Sequence, residues 1–167
     1  MTDHSFVAEA STPALVDMEH RRNVTDLLAD RVAIAPDHRA FRIERHGTLV
    51  DVTTREFYDL VTATARGLIA QGVRAGDRLA IQGATGYPWA VADMASFWVG
   101  AIVIPVFDSS SPEQVRQMMV DAEVQWAFAD SEAKRRTIID SGLDTGRQVT
   151  AWDRPCAPSG RILPLPP

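Results

Sequence analysis

Gly83-Ala84-Thr85-Gly86 holds the residue types best suited to chemistry in this sequence. The stretch follows an apolar strand pattern and precedes a helical one. A glycine turn in that setting can cradle phosphate, because the first amides of a helix are unpaired and lie at its positive end. Gly83, Thr85 and Gly86 are therefore candidate cofactor-binding residues. The stretch has neither the G-x-G-x-x-G spacing nor the lysine and hydroxyl pair of a Walker loop, and a plain turn from strand to helix is the simpler reading. Asp108-Ser109-Ser110-Ser111 closes a second strand at its C-terminal end, the side on which open α/β sheets bind ligands. Ser109 and Ser110 join the candidates, although the same residues also suit a turn and a helix cap. Tyr87 and Trp89 open the helix at that edge and read as packing residues. The four histidines, His4, His20, His38 and His46, have no partner four residues away and no cysteine beside them, so no metal site is expected. No residue is assigned a catalytic role. Asn23-Val24-Thr25 fits a glycosylation sequon, which carries no meaning in a cytoplasmic chain.

The elements that must position these residues follow from periodicity. Leu27, Leu28, Val32 and Ile34 come at near-helical spacing behind a cap at Asn23 or Thr25, and Pro36 closes that short helix. Phe41 and Ile43, then Leu49, Val50 and Val52, flank His46-Gly47 as the two arms of a hairpin. Thr53-Thr54-Arg55-Glu56 is a capping box that opens a long helix with Phe57, Leu60, Val61, Ala65, Leu68 and Ile69 on one face. Gly72 stands where a left-handed C-terminal residue is wanted. Strands are predicted over Leu79–Gln82, Ala101–Val106 and Trp126–Ala129. The second is apolar throughout and is expected to be buried on both faces. Helices follow through Trp89, Ala92, Ala95 and Trp98, then behind a capping box Ser111-Pro112-Glu113-Gln114, and last over Ser131–Ser141 with Gly142 as the stop. The fold class is α/β: a partial parallel sheet with flanking helices, preceded by a short helix and a β-hairpin.

Three segments result. Residues 1–22 form a leader without sustained apolar period, expected to drape over a neighbour or stay mobile. Residues 23–142 form the α/β unit. Residues 143–167 form an irregular tail that holds half of the ten prolines in its final thirteen residues, an arrangement unsuited to closing a sheet.

Composition narrows the function classes. Seventeen basic against twenty-two acidic residues give a net charge of −5, which argues against a phosphate-neutralising surface and so against nucleic-acid binding. The single cysteine, Cys156, cannot form an intramolecular disulfide, and the first thirty residues lack a basic segment followed by an apolar one, so a cytoplasmic location is expected. The run Pro88–Phe107 has the length of a membrane span. Asp93 near its middle would cost roughly 2.5–3.5 kcal/mol there, and Gly100 and Pro105 interrupt it, so no membrane span is expected.

Taken in order, Val52–Phe57, Ala65–Val73 and Gly76-Asp77-Arg78 resemble the opening of AMP-forming acyl-CoA synthetases. Thr85–Trp89, Gly100–Val106 and Ser109–Val115 resemble the long-chain fatty acid branch of that adenylate-forming superfamily, in particular its actinobacterial-type members. The resemblance covers about Asn23 to Ile139. It implies a subdomain of the large N-terminal domain of such enzymes. It also implies a parent reaction in which ATP and Mg²⁺ activate a fatty acid to acyl-AMP and the acyl group passes to the thiol of CoA. The family's phosphate loop, rich in Ser, Thr and Gly and ending in Pro-Lys-Gly, has no counterpart in this sequence, nor has its C-terminal lysine. Gly86 and Pro88 replace the Arg and Glu that the long-chain branch tends to carry around the tyrosine, and after about Gly142 the family pattern fades.

The expectation is therefore the N-terminal fragment of a long-chain fatty acid–CoA ligase, shortened by frameshift, early stop or partial gene prediction. It is expected to be inactive alone and to need no cofactor by itself. The alternative is a non-catalytic interaction module that docks onto a full-length synthetase or self-associates through its incomplete sheet edge. A small nucleotide-binding protein using Gly83–Gly86 is a third reading. Strands deprived of their neighbours predict poor solubility.

Overall fold

The computed structural model describes residues 11–13, 22–142 and 149–151. Most of the expected leader and tail lies outside them, as do His4, His20 and Cys156. The first helix, α1 (Val24–Ile34), begins at Asn23, whose side-chain oxygen accepts from the amides of Thr25 and Asp26 while the Asp26 carboxylate accepts the Asn23 N–H. Of its apolar residues Val32 is buried, whereas Leu27 and Ile34 face outward. Strands β1 (Arg39–Arg45) and β2 (Thr48–Thr53) pair antiparallel, and His46 and Gly47 turn between them with φ of 52° and 77°.

Helix α2 (Thr54–Gln71) starts at the expected capping box: Thr53 Oγ1 accepts from the Glu56 amide and the Glu56 carboxylate accepts the Thr53 N–H. Phe57, Val61, Ala65 and Leu68 are buried along its inner face, and the helix ends at Gly72 in the left-handed conformation. Then β3 (Arg78–Gln82), α3 (Tyr87–Trp98), β4 (Ile102–Val106), α4 (Pro112–Asp121), β5 (Trp126–Ala129), α5 (Glu132–Asp140) and β6 (Val149–Ala151) alternate. The four strands make a parallel sheet in the order β4-β3-β5-β6.

Strand β3 is the centre of the molecule. Its side chains alternate, as a strand requires, so Leu79 and Ile81 enter one core with α2 and α3 residues Val61, Leu68, Val91 and Ala95. Ala80 enters a second core with Val115, Met119 and Ile138 of α4 and α5. Burial of a side chain such as Leu79 supplies about 1.5–3 kcal/mol, and these two layers are what hold the sheet between its helices.

Two expectations are corrected. The strand after Gly100 is not buried on both faces: β4 lies at the edge of the sheet, with Ile102 50% exposed and Pro105 exposed as well. Apolar composition gave it the look of a central strand, but the neighbour order is a non-local property. The tail also contributes structure, because β6 pairs in parallel with β5 through Ala127↔Val149 to Ala129↔Ala151. A strand of three residues is too short to show a period. Among the described residues no helix is long and apolar enough to cross a membrane.

Candidate functional site

The C-terminal ends of β3, β4 and β5 reach one edge of the sheet, and the turns that follow β3 and β4 build a cleft of about 510 Å³ there. Gly83 and Thr85 of the turn after β3 line it, with Ser109 and Asp108 of the loop after β4 opposite. Trp89, Pro105, Val106 and Phe107 give the cleft its apolar wall. Three of the sequence-predicted residues, Gly83, Thr85 and Ser109, thus come together. Gly86 and Ser110 are not part of that lining. Gly86 is the N-cap of α3 in extended backbone, and the Ser110 amide donates to the Phe107 carbonyl at 3.1 Å to close the turn. Ser111 caps α4, its hydroxyl accepting from the Gln114 amide at 3.3 Å.

Tyr87 packs as expected: its ring lies 5.2 Å from Phe41 and 6.0 Å from Phe57. That burial raises its phenol pKa, with Arg45 opposing and Glu56 adding to the rise. Trp89 serves both roles, since it packs against the core and also lines the cleft. His38 is engaged through its backbone carbonyl, which accepts from the Thr54 amide at 2.8 Å, and His46 sits in the hairpin turn. The Asn23 side chain is committed to capping α1.

Sequence reasoning missed the groups that tie the strand ends together. Asp130, directly after β5, accepts the Ala84 N–H at 2.8 Å and the Lys134 ammonium at 2.6 Å. Lys134 also donates to Asp108. The signal was an acid and a base four residues apart at the start of a helix, the spacing at which side chains meet. Burial pushes the Asp130 carboxyl upward, but hydrogen bonds from Lys134, Ala84 and Ser131 and the lysine charge outweigh it and hold the group below the usual range. Burial likewise acts to lower Lys134, and its bonds to Asp108 and Asp130 reverse that, leaving its pKa raised.

The residues present supply only part of what a phosphate-bearing cofactor needs. Anion binding in such a turn depends on free amides and a nearby cation. Here the Ala84 amide already serves Asp130, Pro88 in the first turn of α3 has none, and the only lysine in the sequence is held between two carboxylates. Among the described residues no three His, Cys, Asp or Glu side chains gather as a metal site would need. What the cleft offers is an apolar wall with a polar, acid-bearing rim.

Comparison with known proteins gives this edge its context. Over 132 residues the chain is 37% identical to the long-chain-fatty-acid–CoA ligase FadD15 of Mycobacterium bovis, and equally to that of Mycobacterium tuberculosis; the match takes in 79% of this chain and 22% of each ligase. An acetyl-coenzyme A synthetase of Halorhodospira halophila is 34% identical over 84 residues, half of this chain and 13% of that enzyme. The chain therefore spans about a fifth of the length of the curated relatives it matches first. Among solved structures, a protein described as a long-chain-fatty-acid CoA ligase of Rhodopseudomonas palustris superposes with a TM-score of 0.70 at 24% identity, covering 86% of this chain and 35% of that one. The N-terminal subdomain of Klebsiella oxytoca NpsA gives 0.63 at 20% identity, covering 77% and 30%. At these identities the likeness is one of fold. The family model for AMP-binding enzymes matches residues 28–164, so the match continues through the segment in which the family pattern was expected to fade, and the chain belongs to the AMP-binding enzymes of the adenylate-forming superfamily.

Proposed function

We propose that this chain is the N-terminal part of a long-chain fatty acid–CoA ligase. The parent reaction activates a fatty acid with ATP to acyl-AMP and then forms the thioester with CoA. The observation that carries the reading is the 37% identity to FadD15 over most of the chain. The chain alone is inactive in this reading. Adenylyl transfer requires positioned cations and amides at the phosphates, and the edge of this sheet has spent its lysine and its Ala84 amide on internal bonds. ATP, Mg²⁺, CoA and the fatty acid belong to the longer enzyme, and Gly83, Thr85, Gly86, Ser109 and Ser110 contribute scaffold at its cleft. A cytoplasmic location goes with this reading.

Two measurements test it. Replacing the matching 132 residues of the Mycobacterium tuberculosis ligase with those of this chain is expected to retain long-chain acyl-CoA formation, and complete loss of activity in a soluble chimera overturns the assignment. ATP–pyrophosphate exchange by the isolated chain with a fatty acid is expected at background, and exchange above it overturns the claim of inactivity. A non-catalytic module that docks onto a full-length synthetase, or onto a second copy, is the second reading, favoured by the exposed side chains of Phe97, Ile102 and Phe107. Co-purification with such a synthetase, without effect on its turnover, would select it.

A further inference from the structure

The β4 edge combines two features that pull in opposite directions. Ile102 is 50% exposed and Phe107 79% exposed, so the edge is apolar enough to attract another chain. An exposed apolar edge is ordinarily a template for strand addition, because its outward amides and carbonyls are unpaired. In a parallel pair the backbone groups of alternate residues point to the neighbour and those of the residues between point away. The Ile102 N–H donates to the Asp77 carbonyl at 2.8 Å, and Ile102 is the partner of Arg78 in the register. Ile102, Ile104 and Val106 therefore turn their amides toward β3. Ala101, Val103 and Pro105 hold the outward positions.

Of those three, Ala101 has its N–H bound to the Ser96 carbonyl at 3.0 Å, and Pro105 has no N–H at all. Between Ala101 and Val106 the edge thus offers one outward donor, that of Val103. A proline at Ile104 would remove a bond to β3; at position 105 it removes one only from an arriving strand. We infer that Pro105 is a guard residue that leaves the free edge of β4 a single outward donor and so disfavours strand addition by another chain. The inference rests on backbone geometry and does not depend on the ligase reading.

Substituting Pro105→Val restores the outward N–H and adds a residue of high strand propensity. The variant is expected to self-associate at a protein concentration at least about tenfold below that of the wild-type chain in sedimentation velocity, since two new amide bonds form per symmetric pair. Adding Ile102→Lys to it should reverse the effect. Equal sedimentation of P105V and wild type, with the variant folded by circular dichroism, overturns the inference. A second measurement needs no variant. In amide hydrogen exchange of the wild-type chain, Ile104 is expected to be protected and Val103 to exchange freely at every concentration. Protection of Val103 that grows with concentration shows strand pairing at this edge and overturns the inference equally.

Discussion

Asp130 is the residue on which the candidate site depends most. Its carboxylate joins the turn after β3 to the start of α5 and, through Lys134, to the loop after β4. The Asp130 side chain is 16% exposed and that of Asp108 56%, so the two arms of the Lys134 pair differ in worth. Asp130→Asn is expected to lower stability at neutral pH by about 1–3 kcal/mol, the range for disturbing a largely buried charge-assisted bond. Asp108→Asn should cost well under about 1 kcal/mol, because solvent screens that arm. Urea unfolding of both variants checks the order. The pH dependence follows from the direction of each shift. Asp130 has a depressed carboxyl pKa, so its contribution is present above the unfolded-state value and disappears as pH falls through the folded one. Asp93, whose carboxyl burial raises, acts the other way: its contribution is full below the unfolded-state pKa and lost as pH rises through the folded value. D130N should flatten the acid limb of the stability profile, and Asp93→Asn should steepen it while raising stability at neutral pH.

At the level of elements, glycines that share a left-handed backbone separate into two kinds. Gly72 ends α2 at φ 104° with nothing near where a Cβ would sit, whereas at Gly100, φ 76°, a Cβ would meet that of Ala75 at 3.0 Å. Gly72→Ala is expected to cost about 1–2 kcal/mol from backbone strain alone. Gly100→Ala adds crowding to strain and should cost about 1–3 kcal/mol more, visible as a lower thermal midpoint. Both turns were legible in the sequence, as were the capping boxes at Thr53 and Ser111, because caps and turns are decided by residues within four positions of one another. The edge position of β4 and the pairing of β6 were not, since the same apolar string serves a central or an outer strand and only distant segments decide which. The candidate site divides likewise. Gly83, Thr85 and Ser109 could be found by local pattern, but the convergence of Asp108, Asp130 and Lys134 depends on strand order.

Among the described residues, two cores on either side of β3 provide the stabilising burial, while several large apolar side chains remain in water. Val120 of α4 is 62% exposed and Phe107 79%, at opposite ends of that helix and the loop before it. Phe107→Ser is therefore expected to raise the soluble fraction on expression with less than about 0.5 kcal/mol change in stability, as for other exposed positions. An unchanged soluble fraction would show that solubility is limited elsewhere.

The single lysine has a practical consequence. Amine-directed acylating reagents need an accessible, unprotonated amine, and Lys134 is held protonated between two carboxylates with its side chain 22% exposed. Such a reagent should label Lys134 slowly, a rate that peptide mapping over time can verify. That slow modification then becomes a clock for the loosening of the strand-end loops, one that can be read in a cell lysate without any engineered probe.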